Sequence, residues 1–250
     1  MPTWGVIAFA AGFVAIAAFI FIASGRERRR WRARPAILRA LATRRGCQFV
    51  ENPGKPSDLV PIRQLDRKDN LEQLELPAAV RGRTLDGEFT LFDVFTERKS
   101  GIGTNASDQM TYETFITLSS GDQKWPHFEF AALSHSAPDS MEGKLLAMAG
   151  NLADGLMEER GLRHVPIPER PGFQLFIGDG VDPGRLRDAL VGLFEQRGKW
   201  WVGALDDALT LQKRDARSVN HGMLIPKEDL DRFIDEAEEI ERSLNRAIRP

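Results

Sequence analysis

The sequence predicts an α+β protein: a single N-terminal transmembrane helix followed by an antiparallel sheet with packed helices. Three observations predict it. Trp4–Ser24, WGVIAFAAGFVAIAAFIFIAS, is 21 consecutive residues without a charge. The middle of the chain alternates apolar and polar residues with period two between turn signals. The second half adds apolar positions at spacings of three and four, bounded by capping residues.

A helix rises about 1.5 Å per residue, so about 20 apolar residues cross the roughly 30 Å hydrocarbon core. Trp4–Ser24 meets that length, and Trp4 and Trp31 flank it where amphipathic rings favour the interface. A cleaved signal peptide places its basic region before a shorter apolar run. Here the order is reversed: residues 26–45 hold nine arginines against one acid, Glu27. Arg-rich flanks stay on the cytoplasmic side. The expected arrangement is therefore a single-pass protein of the cytoplasmic membrane, N-terminus outside and residues 26–250 in the cytoplasm. Arg26, Arg28, Arg29, Arg30, Arg32 and Arg34 are the candidate membrane-surface residues. Their partner is the anionic headgroup layer, at roughly 1 kcal/mol per well-placed cation. Gly5, Ala8, Gly12 and Ala15 share one face of the apolar helix, a pattern that permits weak homo-oligomerisation through it. The one cysteine, Cys47, cannot form an internal disulfide.

The chain has 34 Lys+Arg and 36 Asp+Glu. Residues 1–25 carry none of them, and residues 26–45 carry nine basic and one acidic. The remainder is left with a net charge of −10. An acidic domain is a poor nucleic-acid binder, because phosphate contacts need concentrated positive charge. Nucleic acid is excluded as a partner, and an unidentified protein partner near the membrane is expected instead.

The organisation expected is an anchor (1–25), an Arg-rich juxtamembrane segment with a short helix (26–48), a β-rich meander (49–137) and an α+β part packed with it (138–250). Pro35 suits a first helical turn, and Ile37, Leu38 and Leu41 give a short stripe closed by Arg44, Arg45 and Gly46, so a helix is predicted over 35–45. Loop and short strand follow from Cys47 to Ile62. Residues 79–83 read as a strand, Asp86-Gly87 as a two-residue hairpin turn, and 88–95 as the return strand. In that strand Phe89, Leu91 and Asp93 share one face and Phe92 and Val94 the other. Residues 100–105 read as a flexible tip, 111–118 as the next strand, and Phe128-Glu129-Phe130 as a short extended piece.

Asp139-Ser-Met-Glu142 is a capping-box pattern opening a helix to about Arg160, with Met141, Leu145, Met148, Leu152 and Leu156 as its core stripe. Phe173–Ile177 reads as a strand. Asp182-Pro183 is an N-cap followed by a first-turn proline, starting a helix to about Gln196. Residues 200–204 and 208–212 form a hairpin. Pro226 opens the last helix, with Leu230, Phe233, Ile234, Ala237, Ile240, Leu244 and Ile248 on one face.

Several of these segments carry a resemblance. RGRTLDGEFTLFDVFTE, TYETFITL, WPHFEF, FQLFIGD and KWWVGALDDALTLQ follow an N-terminal membrane helix and an Arg-rich link in that order. The pattern resembles a loose group of bacterial membrane-anchored proteins of unknown function, with Asp93, Pro126 and Phe128 its clearest matches. The resemblance implies architecture and location, and brings no catalytic motif.

The residues themselves assign no catalytic group, no cofactor and no metal site. His127, His135, His164 and His221 show no zinc spacing, and there is no CxxC, Walker loop or G-x-S-x-G. Gly101-Ile-Gly103 is a lone GxG, and Gly178–Asp182 is a turn with an N-cap rather than a calcium loop. His127 and Glu129 fall on one side of a strand. With His135 and Asp93 they are the candidates for the alternative function, a membrane-tethered hydrolase. Asp93 on an interior strand needs a partner, expected from Arg81 or Arg83 across the hairpin. Arg44 and Arg45 are expected to lower the Cys47 thiol pKa. The leading expectation is an interaction or scaffold module, with no enzymatic role, that presents an acidic face near the inner leaflet.

Overall fold

The computed structural model describes residues 31–54, 74–100, 107–121, 124–134, 139–158, 161–214 and 223–248. Trp4–Ser24, its small-residue stripe, Arg26, Arg28, Arg29, Arg30, the tip at 101–105, His135 and His221 lie outside them. Among the described residues no helix is long and apolar enough to cross a membrane.

Within those residues the fold is α+β, built on one large antiparallel sheet. The strands are β1 Gln48–Glu51, β2 Leu74–Glu75, β3 Ala78–Arg83, β4 Glu88–Ser100, β5 Ser107–Ser119, β6 Trp125–Ala132, β7 Arg163–Val165, β8 Phe173–Ile177, β9 Trp200–Asp206 and β10 Ala208–Lys213. Their order across the sheet is β1-β3-β4-β5-β10-β9-β6-β8-β7, with β2 also pairing β4. This is not the meander expected: β10 and β9 separate β5 from β6, so the first and second halves of the chain interleave in one sheet. Both outer strands, β1 and β7, are short, which limits the unpaired edge.

One face of the sheet carries most of the core. On β4 and β5, Phe89, Leu91, Ile116 and Leu118 point to it, and Leu209, Leu211, Val202, Phe128, Phe130 and Leu175 continue it. Three helices cover that face: α1, residues 31–45; α3, Pro183–Phe194; and α4, Leu230–Ile248, preceded by a short 3-10 turn Lys227–Asp229. They contribute Leu38 and Leu41, then Leu186, Leu190 and Phe194, then Phe233, Ile234, Ala237 and Ile240. Each of these Leu, Ile and Phe side chains stabilises by about 1.5–3 kcal/mol when fully buried. Trp200 stacks on Phe233 with centroids 5.6 Å apart. The opposite face holds a smaller cluster of Leu76, Ala79, Phe92, Val94, Phe115 and Trp201. The remaining helix, α2 Met141–Glu158, meets the sheet at β7 and β8, where Gln174 donates to the Leu146 carbonyl at 3.3 Å.

The local departures from sequence have local causes. Helix α1 begins at least four residues before Pro35, which removes the hydrogen bond to the residue 31 carbonyl. The contacts of Trp31 and Arg34 hold that turn in place. The β3–β4 turn is four residues, Thr84–Gly87, closed by Thr84 N–H to the Gly87 carbonyl at 2.9 Å, because Arg83 pairs with Glu88. Ser140, not Asp139, caps α2, accepting from Gly143 N–H at 2.9 Å. Asp182 caps α3 as its sequence indicates, accepting from Gly184 N–H at 2.9 Å.

Candidate functional site

Helix α1 lies along β4 and β5, running opposite to β4. Trp31, Arg34, Leu38, Leu41 and Ala42 recur at spacings of three and four, so they share the face turned to the sheet. Trp31 meets Phe95 and Tyr112, with ring centroids 5.9 and 5.2 Å away. One turn on, Arg34 reaches Asp93.

Asp93 shares its face with Phe89 and Leu91, and that parity points it at α1. Arg34 Nε donates to Asp93 Oδ2 at 2.6 Å and Nη2 donates to Oδ1 at 2.8 Å. Nη1 donates to the Ile225 carbonyl at 2.8 Å. Thr114, opposite Asp93 in register, donates its hydroxyl to Oδ1 at 2.7 Å and accepts from Ile225 N–H at 3.0 Å. Arg34 is 2 % exposed, Asp93 0 % and Thr114 0 %. The node therefore joins α1, β4, β5 and the segment before α4 in a dry, bidentate arrangement.

Two expectations are corrected here. Arg34 does not belong with the membrane-surface arginines, because its guanidinium is buried on a carboxylate. Arg32, two residues earlier, is exposed. The partner of Asp93 is Arg34 rather than Arg81 or Arg83, which alternate onto the other side of β3 and are exposed. Both carboxylate oxygens of Asp93 are thus engaged within the fold.

The far end of α1 is fixed by charge. Arg45 pairs with Asp231 at 2.5 Å and Asp235 at 2.7 Å, and Arg44 also pairs with Asp231. These pairs join the negative end of α1 to the positive end of α4, the sense both helix dipoles favour. Hydrogen bonding to Arg45, opposed by partial desolvation, lowers the Asp231 pKa. Farther along α4, Lys213 pairs with Glu236 and Arg197 with Glu239. Much of the acidic surface of α4 is thus met by cations of the same chain. The Cys47 thiol pKa is raised by burial, which outweighs the nearby Arg45, so the expected lowering does not occur.

His127 lies at a bulge, where the β6–β9 register shifts between Trp125 and Phe128. Glu129, 3 % exposed, sits opposite Gly203 and Phe176. Thr117 and Thr210 share a hydrogen bond of 3.1 Å, and both lie in the register row of Gly203 and Glu129. His164 lies apart on β7, its ring 5.2 Å from Phe176. No group of three or more His, Cys, Asp or Glu suited to a metal ion occurs among the described residues. Two polar atoms of that face, Trp201 Nε1 and Gln212 Nε2, are buried and find no hydrogen-bond partner among the described residues.

Sequence reasoning missed two features. Glu241 is 2 % exposed on α4 and accepts from Ser120 Oγ at 3.0 Å; burial raises its pKa, against the pull of that hydrogen bond. Its signal was an acid at the i+4 position from Ala237, on the edge of the apolar stripe. The second feature concerns α2. Met141, Leu145 and Met148 were expected in the core but are 81 %, 57 % and 61 % exposed, while Leu146 at 6 % is the side chain that turns inward. The side chains of Leu152 and Leu156, the rest of that stripe, lie outside the described residues. No protein family, curated protein or solved structure matches this chain.

Proposed function

We propose that this is a single-pass membrane protein whose α+β domain serves as an interaction module, held close to the bilayer by α1. The observation that carries the reading is the Arg34–Asp93 node. It makes the helix from Trp31 onward part of the domain core, so by sequence only residues 25–30 separate the apolar run from that core. A link this short suits a platform that stays near the bilayer surface. The surface offered to a protein partner is the Met141, Leu145 and Met148 stripe of α2, because large exposed apolar side chains in helical register mark association sites. Location in the cytoplasmic membrane, with the domain on the cytoplasmic side, follows from the apolar run and the arginines behind it. The alternative, a membrane-tethered hydrolase, needs a carboxylate open to substrate, and that of Asp93 is committed to Arg34 and Thr114.

The test combines topology with contact. A C-terminal reporter on the full chain is expected to report cytoplasm, and the protein to resist alkaline extraction from membranes. A photo-crosslinking side chain at Leu145 is expected to give one discrete adduct in cells, and the same group at Leu85, 88 % exposed on the β3–β4 turn, none. Extraction at alkaline pH removes the anchor from the proposal. Equal crosslinking at the two positions removes α2 as the docking surface.

A further inference from the structure

The described domain begins at Trp31, beside Phe95 of β4 and Tyr112 of β5. There Trp31, Phe95 and Tyr112 form a cluster, Phe95 and Tyr112 with centroids 5.0 Å apart, and all three rings remain half-buried. Trp31 and Tyr112, the only tyrosine of the chain, have the amphipathic rings that concentrate where water meets lipid. Beyond this cluster β4 and β5 continue as a two-stranded arm. They stay in register through Glu97↔Met110, Arg98↔Gln109, Lys99↔Asp108 and Ser100↔Ser107. The last contact of β2 is at Thr96, so no other described strand accompanies the arm past that point. Because α1 runs opposite to β4, the arm projects past the N-terminal end of α1.

Lengths decide what lies there. From Ser24 to Trp31 the chain spans at most about 25 Å at full extension. From Phe95 to Ser100 the arm advances about 17 Å at 3.3 Å per residue. If Trp4–Ser24 spans the bilayer, the link is short enough to keep the end of the arm within reach of the headgroup layer.

We propose that this edge, the Trp31–Phe95–Tyr112 cluster with the β4–β5 arm, rests on the cytoplasmic headgroup layer and fixes the orientation of the domain. The proposal deepens the reading above and rests on the apolar run being an anchor. The partner is the lipid surface itself. Arg26, Arg28, Arg29, Arg30 and Arg32 lie in the same short link and supply the positive charge that an anionic leaflet attracts. Arg34 is withheld from that surface by Asp93, so the boundary between lipid-facing and domain-facing chain falls between residues 32 and 34. The opposite end of β3 and β4 carries Leu85, which this orientation keeps in water.

The experiment uses the full chain in nanodiscs of mixed neutral and anionic phospholipid, with Cys47→Ser as background. A nitroxide is attached at Ser107→Cys or Leu85→Cys, and collision with a water-soluble nickel chelate is compared with collision with oxygen. The Ser107 label is expected to meet the chelate severalfold less often than the Leu85 label and to favour oxygen. The part of the tryptophan emission lost in Trp31→Phe is expected to be quenched by brominated lipid. Flotation of the same labelled chains reconstituted in vesicles of that lipid mixture separates the two ideas. A chain that floats with lipid while its Ser107 label is as wet as Leu85 overturns the resting edge and leaves the anchor standing. A chain that does not float overturns both.

Discussion

Removing Arg34 tests the feature on which the rest depends. In Arg34→Met the carboxylate of Asp93 stays at 0 % exposure with only the Thr114 hydroxyl at 2.7 Å to answer it, and the Ile225 carbonyl loses its donor. Breaking a buried ion pair from one side costs about 3–5 kcal/mol, because the surviving charge is stranded. For a domain of 150–250 residues each kcal/mol moves the midpoint by about 2–4 °C, so the expected loss is about 6–20 °C. Arg34→Met with Asp93→Leu removes both charges and leaves only neutral groups short of a partner, at about 1–3 kcal/mol. The double variant is therefore expected to melt above either single one. A chain starting at Trp31 keeps the node and is expected to unfold cooperatively. A chain starting at Pro35 lacks Arg34 and Trp31 and is expected to lose at least as much as Arg34→Met. The assay is thermal and urea unfolding followed by circular dichroism. An Arg34→Met protein that melts with its parent, or a double variant whose loss is the sum of the two single losses, refutes the reasoning.

Glu241→Gln is expected to stabilise the domain at neutral pH. The folded pKa of Glu241 is raised, so its contribution is fully present below the unfolded carboxylate pKa and is lost as pH rises through the folded value. The advantage of Gln, which still accepts from Ser120, should shrink as the melt is repeated at falling pH, and a pH-independent difference would contradict this. Gly87→Ala is expected to cost about 1–3 kcal/mol or more, since a Cβ there would sit 2.1 Å from the Ser119 carbonyl oxygen, whereas Gly121→Ala, with nothing within 4 Å, should be nearly silent in the same unfolding titration. Gln212→Met should be neutral or stabilising, because it replaces a buried amide N–H that has no acceptor among the described residues. Asp182→Ala should cost about 0.5–2 kcal/mol through loss of the α3 cap, and a midpoint equal to the parent would remove that cap from the account.

What the sequence alone determined is whatever short-range chemistry controls. Alternation along 88–95 and 111–118 placed Phe89, Leu91 and Asp93 on one face, because side-chain direction in a strand is set by position. Asp182-Pro183 fixed the start of α3, and the stripe from Leu230 to Leu244 fixed the buried side of α4. That Asp93 needed a partner was also legible, since an interior carboxylate must be compensated. Which arginine would answer it was not. Arg34 is 59 residues away, and only the laying of α1 across β4 and β5 brings it there, leaving Arg81 and Arg83 on the far side by parity. The insertion of β10 and β9 between β5 and β6 was equally hidden, because strand order is chosen by long-range pairing that no local pattern encodes. For α2 the sequence declared one apolar stripe, but an amphipathic period says only that a helix has an apolar side. The tertiary structure decided that Leu146 would turn to the sheet while Met141, Leu145 and Met148 faced outward, because the docking on β7 and β8 fixed the rotation of the helix about its own axis.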